Sequence, residues 1–498
     1  MLITVGISLY TTRLILDALG AEDYGIYNLV AGVIAMLSFL NGAMATSTQR
    51  FLSYNLGTKN INLQKKTFGG SLLFHSIIGL IIVLILTVSS TFLFEGFLNI
   101  ALEKIESAKI IFHLMTITVF FTIITVPFTG SLLAHENMLW GALVNILESI
   151  LKLICALLLS GMAGNKLVTY GLFSAAISAI SFTFISIYCS KKYEECSLKN
   201  LRLIDRQLIK KLSSFAGWNL FGALCGVSRS QGLAILLNIF YGTTINAAYA
   251  ISNQVSSQLN FFSVTMLGAL NPQIMKSEGA QDRNRMLRLS MVASKFGFFL
   301  LSIFAIPFIF EMEYILNFWL QTPPKYSVIF CQLALISMMV NQLTIGLQSA
   351  IQATGKIKLY QTIVGSTLLL NIPIAYLILR NDLPPYLVLG SYIFIEFLAC
   401  IFRLFLLNKI SGLSIYDYFQ EVIFKQIPPA FNTFLTCFIV TYYCNINFRF
   451  LITIPISILV FSLSVYYWGL NINEKKLITN LIQSIRNKFT TITKQNEK

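Results

Sequence analysis

Charged residues are scarce in this sequence, and their scarcity excludes a soluble fold. Asp, Glu, Lys and Arg make up 11% of the 498 residues, 56% are hydrophobic, and the mean hydropathy is +0.72. A soluble domain carries about 25% charged residues. The apolar runs last about 20 residues or more, the length that crosses a bilayer as a helix, whereas a membrane β-barrel alternates polarity in segments of about ten. The sequence therefore predicts an all-α polytopic membrane protein.

The sequence also lacks the patterns of soluble enzymes. It contains three histidines, and none of its eight cysteines forms a CxxC pair, so we interpret the cysteines as small buried side chains. It has no Walker A motif, no GxGxxG after a strand and no metal-ligand spacing. The loops predicted on the outer side of the membrane are too short for an external catalytic domain. We therefore predict no catalytic residue, no metal and no cofactor, and a protein that is not an enzyme.

Apolar runs and loop charges predict the topology. We place about fourteen spans, at 1–19, 26–50, 68–93, 108–132, 138–162, 167–190, 213–238, 244–272, 289–312, 327–351, 359–379, 385–407, 424–444 and 449–469. With the N-terminus inside, inner loops and tail hold 26 of the 36 Lys and Arg residues, outer loops hold six, and four lie within spans. This is the positive-inside pattern, so the net charge of +15 indicates topology and not nucleic-acid binding. We expect both termini to be cytoplasmic.

A faint internal repeat divides the chain. Tyr24-Gly25 opens the second span and Tyr241-Gly242 opens the eighth, at an offset of 217 residues. Repeats of the same orientation give two pseudo-symmetric six-helix bundles related by an axis along the membrane normal. The predicted parts are a bundle at 1–190, a basic cytoplasmic linker at 191–211, a bundle at 212–408, two further helices at 424–469 and a basic cytoplasmic tail at 470–498. The chain opens directly into an apolar run, so we expect the true start to lie upstream.

Ionisable residues inside spans are costly and by default face a cavity or a partner. Arg229 lies in GVSRSQG of the seventh span, roughly 22 Å of helix from the predicted inner end. It either lines a central cavity that receives an anionic substrate or pairs with a carboxylate or helix-end carbonyls. Arg13 lies at the matching place in the first span and either does the same or anchors the outer interface by pairing with Asp17. Arg50 ends the second span, as a cavity residue or as an inner-interface anchor.

Amides accompany these arginines. Gln49 precedes Arg50, Gln231 lies two residues after Arg229, and Asn253 opens a polar cluster in the eighth span. Amide groups of this kind suit a hydroxyl-rich ligand, and interhelical hydrogen bonds explain them equally well.

Three further ionisable residues are candidates for coupling to a proton or an ion. Glu148 and Lys152 lie four residues apart on one face of the fifth span, so we expect them to pair within the membrane. Glu396 in the twelfth span has Arg403 two turns away on the same face. Both sets have a structural interpretation as well as a coupling one.

Several stretches together resemble a known family. They are RLILDALGAEDYGIYNLVAG, FLNGAMATSTQRFLSYNLG, NIFYGTTINAAYAISNQV, NPQIMKSEG and IQATGKIKLYQ. They resemble the polysaccharide-unit flippases (often called Wzx) of Bacteroidetes-type lipopolysaccharide and capsule clusters, over about four-fifths of the chain. The first stretch is shared more broadly with multidrug and toxic-compound exporters of the same superfamily, and NPQI and QATGKI are more specific.

The resemblance implies two six-helix bundles around a V-shaped cavity, two extra helices, and transport by alternating access. It implies a substrate made of an oligosaccharide on undecaprenyl diphosphate, moved from the cytoplasmic to the outer leaflet of the bacterial inner membrane. The implied protein is a monomer among membrane lipids that works beside the polysaccharide polymerase machinery and binds no nucleic acid. Related lipid flippases hold the diphosphate with cavity arginines, for which Arg13, Arg50 and Arg229 are our candidates.

Charge separates this interpretation from its closest rival. Arginine gives bidentate, charge-assisted bonds to phosphate, and a cationic cavity would repel the cations that most drug exporters carry. The alternative is a multidrug or cation antiporter of the same superfamily, which predicts a functional acidic residue in the first bundle, with Glu148 as the candidate. A polymerase or glycosyltransferase predicts a large outer loop or a carboxylate motif, and a non-transporting scaffold predicts that Arg229→Ala leaves function intact.

Overall fold

The protein is helical throughout the part that the structure describes. The computed structural model describes residues 2–35, 38–94, 101–203, 205–444 and 448–476. Within these ranges the chain forms α-helices with short 3-10 and π turns, and no strand. The predicted all-α class is therefore confirmed. Most of the predicted tail at 470–498 lies outside the described residues.

Seventeen α-helices follow one another along the described chain. The first are α1 Leu2–Ala35, α2 Ser38–Gly57, α3 Ile61–Phe92, α4 Ile105–Ala134, α5 Met138–Gly161 and α6 Lys166–Lys192. The next are α7 Arg206–Gly279, α8 Arg283–Leu320, α9 Ser327–Gln342, α10 Ile345–Thr354, α11 Ile357–Tyr360 and α12 Ser366–Leu369. The last are α13 Asn371–Arg380, α14 Tyr386–Ser411, α15 Ile415–Tyr418, α16 Phe424–Tyr443 and α17 Phe450–Ser464.

The helices are long and apolar enough for a multi-pass membrane protein. Among the described residues nine helices pass this test by length and composition, with α11 to α13 taken as one helix, and the bent pair α9–α10 would make a tenth. One of the nine is α7, whose 74 residues contain two of the predicted spans. The total of fourteen spans stays a prediction.

The chain divides into two compact units. Unit 1 comprises Met1–Cys225, Asn271–Met286 and Gln352–Thr362, and unit 2 comprises Gly226–Leu270, Leu287–Ile351 and Ile363–Lys498. Two segments from the second half of the sequence thus belong with unit 1. The bundle boundaries at 1–190 and 212–408 stay a prediction.

The third helix shows how the sequence distributes its apolar residues. Leu80, Leu84 and Phe92 are 60%, 64% and 74% exposed, and their spacing places them on one face of α3. Ile82 and Leu86 on another face are buried in a cluster with residues of α4. The exposed apolar face is what a helix presents to lipid.

Glycine breaks two of the helices. Gly20 in α1 has φ 78° and ψ 166°, and Gly242 in α7 has φ 75° and ψ −168°. This backbone region is essentially restricted to glycine. The two residues are 222 positions apart and lie where the sequence predicts the turns after the first and seventh spans. Gly242 therefore corresponds to Gly20, and its sequence-based pairing with Gly25 is wrong by five residues.

A second glycine pair with the same offset produces a backbone contact inside unit 1. A Cβ atom at Gly57 would lie 2.1 Å from the carbonyl oxygen of Lys276, and one at Gly279 would lie 2.0 Å from the carbonyl oxygen of Tyr54. Gly57 and Gly279 are 222 positions apart, as are Tyr54 and Lys276. The contact is therefore reciprocal between equivalent positions of the repeat, and a side chain on either glycine would separate the two backbones.

We predict that Gly242→Ala destabilises the protein, because alanine is strained at this φ and ψ by about 1–3 kcal/mol. Gly217→Ala is the matched control, since Gly217 lies in the same helix with open space around its Cβ position and no positive φ. Thermal unfolding of the purified proteins in detergent measures the difference. A Gly242→Ala protein that melts at the wild-type temperature would contradict this role of the break.

We also predict that Gly279→Ala lowers the unfolding temperature, because the new methyl group would overlap the Tyr54 carbonyl oxygen. Gly268→Ala in the same helix serves as control, since no atom lies within 4 Å of its Cβ position. The same unfolding measurement applies. Equal melting of the two variants would show that the helices separate at no cost.

Candidate functional site

Unit 2 contains a cavity of about 330 Å³ between α7, α9 and α14. The break at Gly242 reverses the direction of α7, so that residues before and after it line the same space, as Arg229 and Asn253 do. The Tyr249 hydroxyl donates to the Ser230 carbonyl oxygen at 3.3 Å and ties these two arms together. The polar lining consists of Arg229, Ser230, Tyr249, Asn253, Ser256, Ser257, Asn260, Ser337, Asn341, Gln342, Tyr392 and Glu396.

Arg229 is buried in the wall of this cavity and has a carboxylate partner. Its Nη1 donates to Glu396 Oε1, and its guanidinium carbon lies 3.9 Å from the centre of the Tyr392 ring. The Tyr392 hydroxyl donates to the Arg229 carbonyl oxygen at 3.0 Å. Asn341 Nδ2 donates to the second carboxylate oxygen of Glu396 at 2.8 Å. Both interpretations of Arg229 therefore apply, since it lines a cavity and it pairs with a carboxylate.

The pairing fixes the charge of the cavity. Arg229 and Glu396 are the one basic and the one acidic residue of the lining, so their formal charges cancel in the cavity of unit 2. The expectation of a cationic cavity is wrong here, because sequence reasoning did not connect these two residues. Arg229 Nε and Ser256 Oγ are buried without a hydrogen-bond partner among the described residues. Buried polar groups are normally satisfied, so Arg229 Nε is available to donate a hydrogen bond to a ligand or water, and Ser256 Oγ is available to donate or accept one.

The two amides predicted near Arg229 differ in their surroundings. Asn253 lines the cavity, whereas Gln231 is exposed and lies outside the lining. The helix turns by about 100° per residue, so Gln231, two positions after Arg229, lies about 200° around the helix and faces away from the cavity.

Arg13 lies apart from the cavities described here. It is exposed in α1, and no Arg13–Asp17 pair occurs among the ion pairs of the described chain. The alternative in which Arg13 pairs with Asp17 is therefore not observed among the described residues. Arg13 lies seven residues before Gly20, while Arg229 lies thirteen before Gly242. The two arginines are not at matching positions.

Arg50 lines a different cavity, of about 910 Å³, within unit 1. It is 8% exposed, and its Nη2 donates to the Ala353 carbonyl oxygen at 3.0 Å. The rings of Phe51 and Tyr54 lie 4.6 and 4.7 Å from its guanidinium carbon. Gln49 is partly buried and does not line this cavity.

The predicted pair in the fifth span is confirmed. Lys152 Nζ lies 2.7 Å from Glu148 Oε1, with side chains 49% and 33% exposed. Both residues line a third cavity of about 650 Å³ in unit 1. Arg403 donates to the Thr344 hydroxyl at 3.3 Å. A coupling role for Glu148, Lys152 or Glu396 stays a prediction.

Sequence reasoning missed the partners that shape the cavity of unit 2. Tyr392 and Asn341 contact the ion pair directly, and Tyr249 joins the two arms of α7. A tyrosine or asparagine within a span carries no charge signal, so nothing in the sequence distinguished these residues from the many other polar positions in spans.

Solved structures with a similar fold include two that are described as transporters. A MATE protein in complex with MaL6 is 14% identical with a TM-score of 0.70, over 83% of this chain and 94% of that chain. An outward-facing multidrug resistance MATE family transporter of the MOP superfamily is 15% identical with a TM-score of 0.69, over 83% and 94%. A MOP superfamily transporter from Pyrococcus furiosus, described by the reverse polarity of its binding pocket, is 14% identical with a TM-score of 0.67, over 82% and 92%. These likenesses confirm the predicted MATE-like fold.

The protein is thus a multi-pass membrane protein with the fold of MATE and MOP-superfamily transporters. Residues 1–278, more than half of the chain, match the family described as polysaccharide biosynthesis protein. The chain belongs to this family, as the resemblance in its sequence predicts. No curated protein matches the chain.

We predict that Glu396→Ala destabilises the protein strongly, because it leaves Arg229 as a buried unpaired cation. Breaking a buried pair on one side costs on the order of 3–5 kcal/mol. Glu148→Ala is the matched control, since it breaks an i,i+4 pair within one helix whose side chains are less buried, at 49% and 33% exposure. Thermal unfolding in detergent compares the two.

A double variant separates pairing from packing. Arg229→Met combined with Glu396→Leu removes both charges and should recover much of the stability lost in Glu396→Ala. A double variant as unstable as Glu396→Ala would show that the cost comes from lost packing and not from the unpaired charge.

Proposed function

We propose that this protein is a flippase for undecaprenyl-diphosphate-linked oligosaccharides in lipopolysaccharide or capsule biosynthesis. It moves them from the cytoplasmic to the outer leaflet of the bacterial inner membrane by alternating access, with both of its own termini cytoplasmic. Membership of the polysaccharide biosynthesis protein family supports the pathway. The transporter fold supports translocation and not catalysis.

The observation that carries the proposal is the chemistry of the cavity in unit 2. Its lining offers amides, hydroxyls and tyrosines around an ion pair that neutralises itself. A sugar is neutral, and its many hydroxyl groups both donate and accept hydrogen bonds. Amide side chains match it because they carry donors and acceptors together. We assign this cavity to part of the oligosaccharide.

In this proposal Arg229 supplies a hydrogen-bond donor of fixed orientation and adds little net charge to the cavity, because Glu396 is paired with it. Its contacts to Glu396 and Tyr392 hold the guanidinium in one orientation, and Nε remains without a partner among the described residues. In this proposal the oligosaccharide contacts Arg229 and Asn253, and the diphosphate is left to Arg50. Arg13, Gln49 and Gln231 keep no role in the proposed site.

A cation antiporter would need a carboxylate that is available for ion exchange. Glu148 is paired with Lys152, and Glu396 is paired with Arg229. Neither contact favours that activity, and we do not propose it.

We predict that Asn253→Ala reduces export about tenfold, the effect of losing about 1.4 kcal/mol of hydrogen bonding to the sugar. Gln231→Ala is the matched control, an amide in the same helix that lies outside the cavity. Both variants are expressed in a deletion strain of the source organism, which makes the native sugar unit. Surface polysaccharide and accumulated lipid-linked oligosaccharide are measured, with membrane levels of the protein checked.

Two different outcomes would contradict the two parts of this proposal, the flippase function and the role of the cavity. A deletion strain with normal surface polysaccharide would refute the flippase assignment. Full rescue by Asn253→Ala would keep the flippase assignment and remove this cavity from the sugar path.

A further inference from the structure

The chain from Ile345 to Tyr360 contributes one wall of the cavity in unit 1, and we call it the α10–α11 segment. It comprises α10, a turn at Gly355 and α11. Its residues 354–358 line the cavity on one side, whereas the rest of the lining, including Arg50, comes from α2, α3 and α7. A displacement of this segment would therefore widen or narrow the cavity.

The helix is broken where the segment begins. The axes of α9 and α10 differ by 45° across a two-residue gap. The Gly346 amide donates to the Ser294 hydroxyl at 3.0 Å, whereas a regular helix would direct it to the carbonyl four residues earlier. The Tyr418 hydroxyl donates to the Leu343 carbonyl oxygen inside the gap. A Cβ atom at Gly346 would lie 2.0 Å from the Ser290 carbonyl oxygen, so the bend is packed directly on the backbone of α8.

A π turn follows the segment at its other end, over Gln361–Gly365. Such turns are short interruptions of α-helical hydrogen bonding and occur frequently at functional sites. A Cβ atom at Gly222 would lie 2.0 Å from Gln361 Oε1, so this turn packs closely on α7. The segment is therefore flanked on both sides by interrupted helix geometry, and such positions can absorb changes of backbone angle that a regular helix resists.

Arg50 holds the far end of α10. Its Nη2 donates to the Ala353 carbonyl oxygen at 3.0 Å, and no other hydrogen bond of this guanidinium occurs among the described residues. Carbonyl groups in the last turn of a helix lack an intrahelical partner, so the Ala353 oxygen is available to accept. Gly355 permits the approach, because a Cβ atom there would lie 2.8 Å from Arg50 Nη2. A charge-assisted hydrogen bond thus joins this end of the segment to α2.

The length of α10 converts a small change at the break into a large displacement. Its ten residues extend over about 15 Å, so a change of about 20° at the break would move its far end by roughly 5 Å. A hydrogen bond requires about 3 Å between donor and acceptor. The bond between Arg50 and Ala353 must therefore break before the segment can move in this way.

We propose that the α10–α11 segment is a hinged lid on the cavity of unit 1 and that Arg50 latches it. The lid turns at the break before Ile345 and at the π turn after Tyr360, and the latch is closed in this structure. Arg50 is in this respect a positioning residue, because it acts through the lid. The proposal concerns the motion of one wall of the cavity, so it does not rest on the proposed function.

Distances between spin labels test the latch in the full-length protein, by double electron–electron resonance in phosphatidylcholine nanodiscs without substrate. The lid pair joins Lys356→Cys to Asn62→Cys, and the reference pair joins Lys191→Cys to Asn62→Cys. All three positions are exposed and belong to unit 1. Cys155→Ser and Cys444→Ser remove the two native cysteines that are not buried.

We predict that Arg50→Met adds a population in which the lid-pair distance is longer by roughly 5 Å, the displacement expected for α10, while the reference pair is unchanged. Gly355→Ala should have the same effect with Arg50 still present, because its methyl group would displace the guanidinium. This second variant decides the question if Arg50→Met does not fold. Arg13→Met is the matched control, an exposed arginine of the same unit outside the cavity, and should give the wild-type distances.

Two results would overturn the proposal. In the first, the lid-pair distance stays at its wild-type value in both variants. In the second, the reference pair shifts together with the lid pair, since Arg50 would then support the packing of unit 1 as a whole. The measurement involves no transport, so either result leaves the flippase assignment as it stands.

Discussion

An ion removed from water in an apolar chain must find a partner, because a buried unpaired ion costs several kcal/mol. This requirement organises unit 2. Arg449 donates to both carboxylate oxygens of Glu311, at 2.9 and 3.2 Å, and Lys295 lies 2.7 Å from Glu474. These pairs join α8 to residues on either side of α17, and a third pair lines the cavity of the same unit. The same requirement, met by a carbonyl oxygen and aromatic rings, holds Arg50 in unit 1.

Composition and local patterns were sufficient for the class of fold and for the family. Long apolar runs with few charges leave one architecture available, and the quoted stretches identified the family. Local patterns did not show which residues of the two halves correspond to each other. Tyr-Gly occurs at both 24–25 and 241–242, and pairing these two dipeptides gives an offset of 217 residues. The backbone dihedral angles instead relate Gly20 to Gly242, and a dihedral angle is a consequence of tertiary packing that no dipeptide encodes.

The same limit applies to the candidate site: local sequence patterns identified single residues but not their partners that are distant in the sequence. Arg229 was identified from the sequence because a charge in an apolar run is conspicuous. Its partner Glu396 lies 167 residues away, and sequence reasoning placed it near Arg403 because the two share a helical face. Lys356 and Lys358 were counted only as loop charges that set the topology. Their meeting with Arg50 depends on a fold that brings separate segments into one unit.

The two cavities differ in a way that bears on how a transporter releases its cargo. An unpaired arginine in an apolar wall would hold a diphosphate tightly, and a site that binds too tightly slows release. Glu396 prevents this at Arg229, because any anion there must compete with a carboxylate already bonded to it. The four lysines that line the cavity of unit 1, Lys210, Lys211, Lys356 and Lys358, are exposed, so salt would screen their attraction for any anion. Exposed charges in one cavity and a neutral polar wall in the other are compatible with a ligand that must both enter and leave.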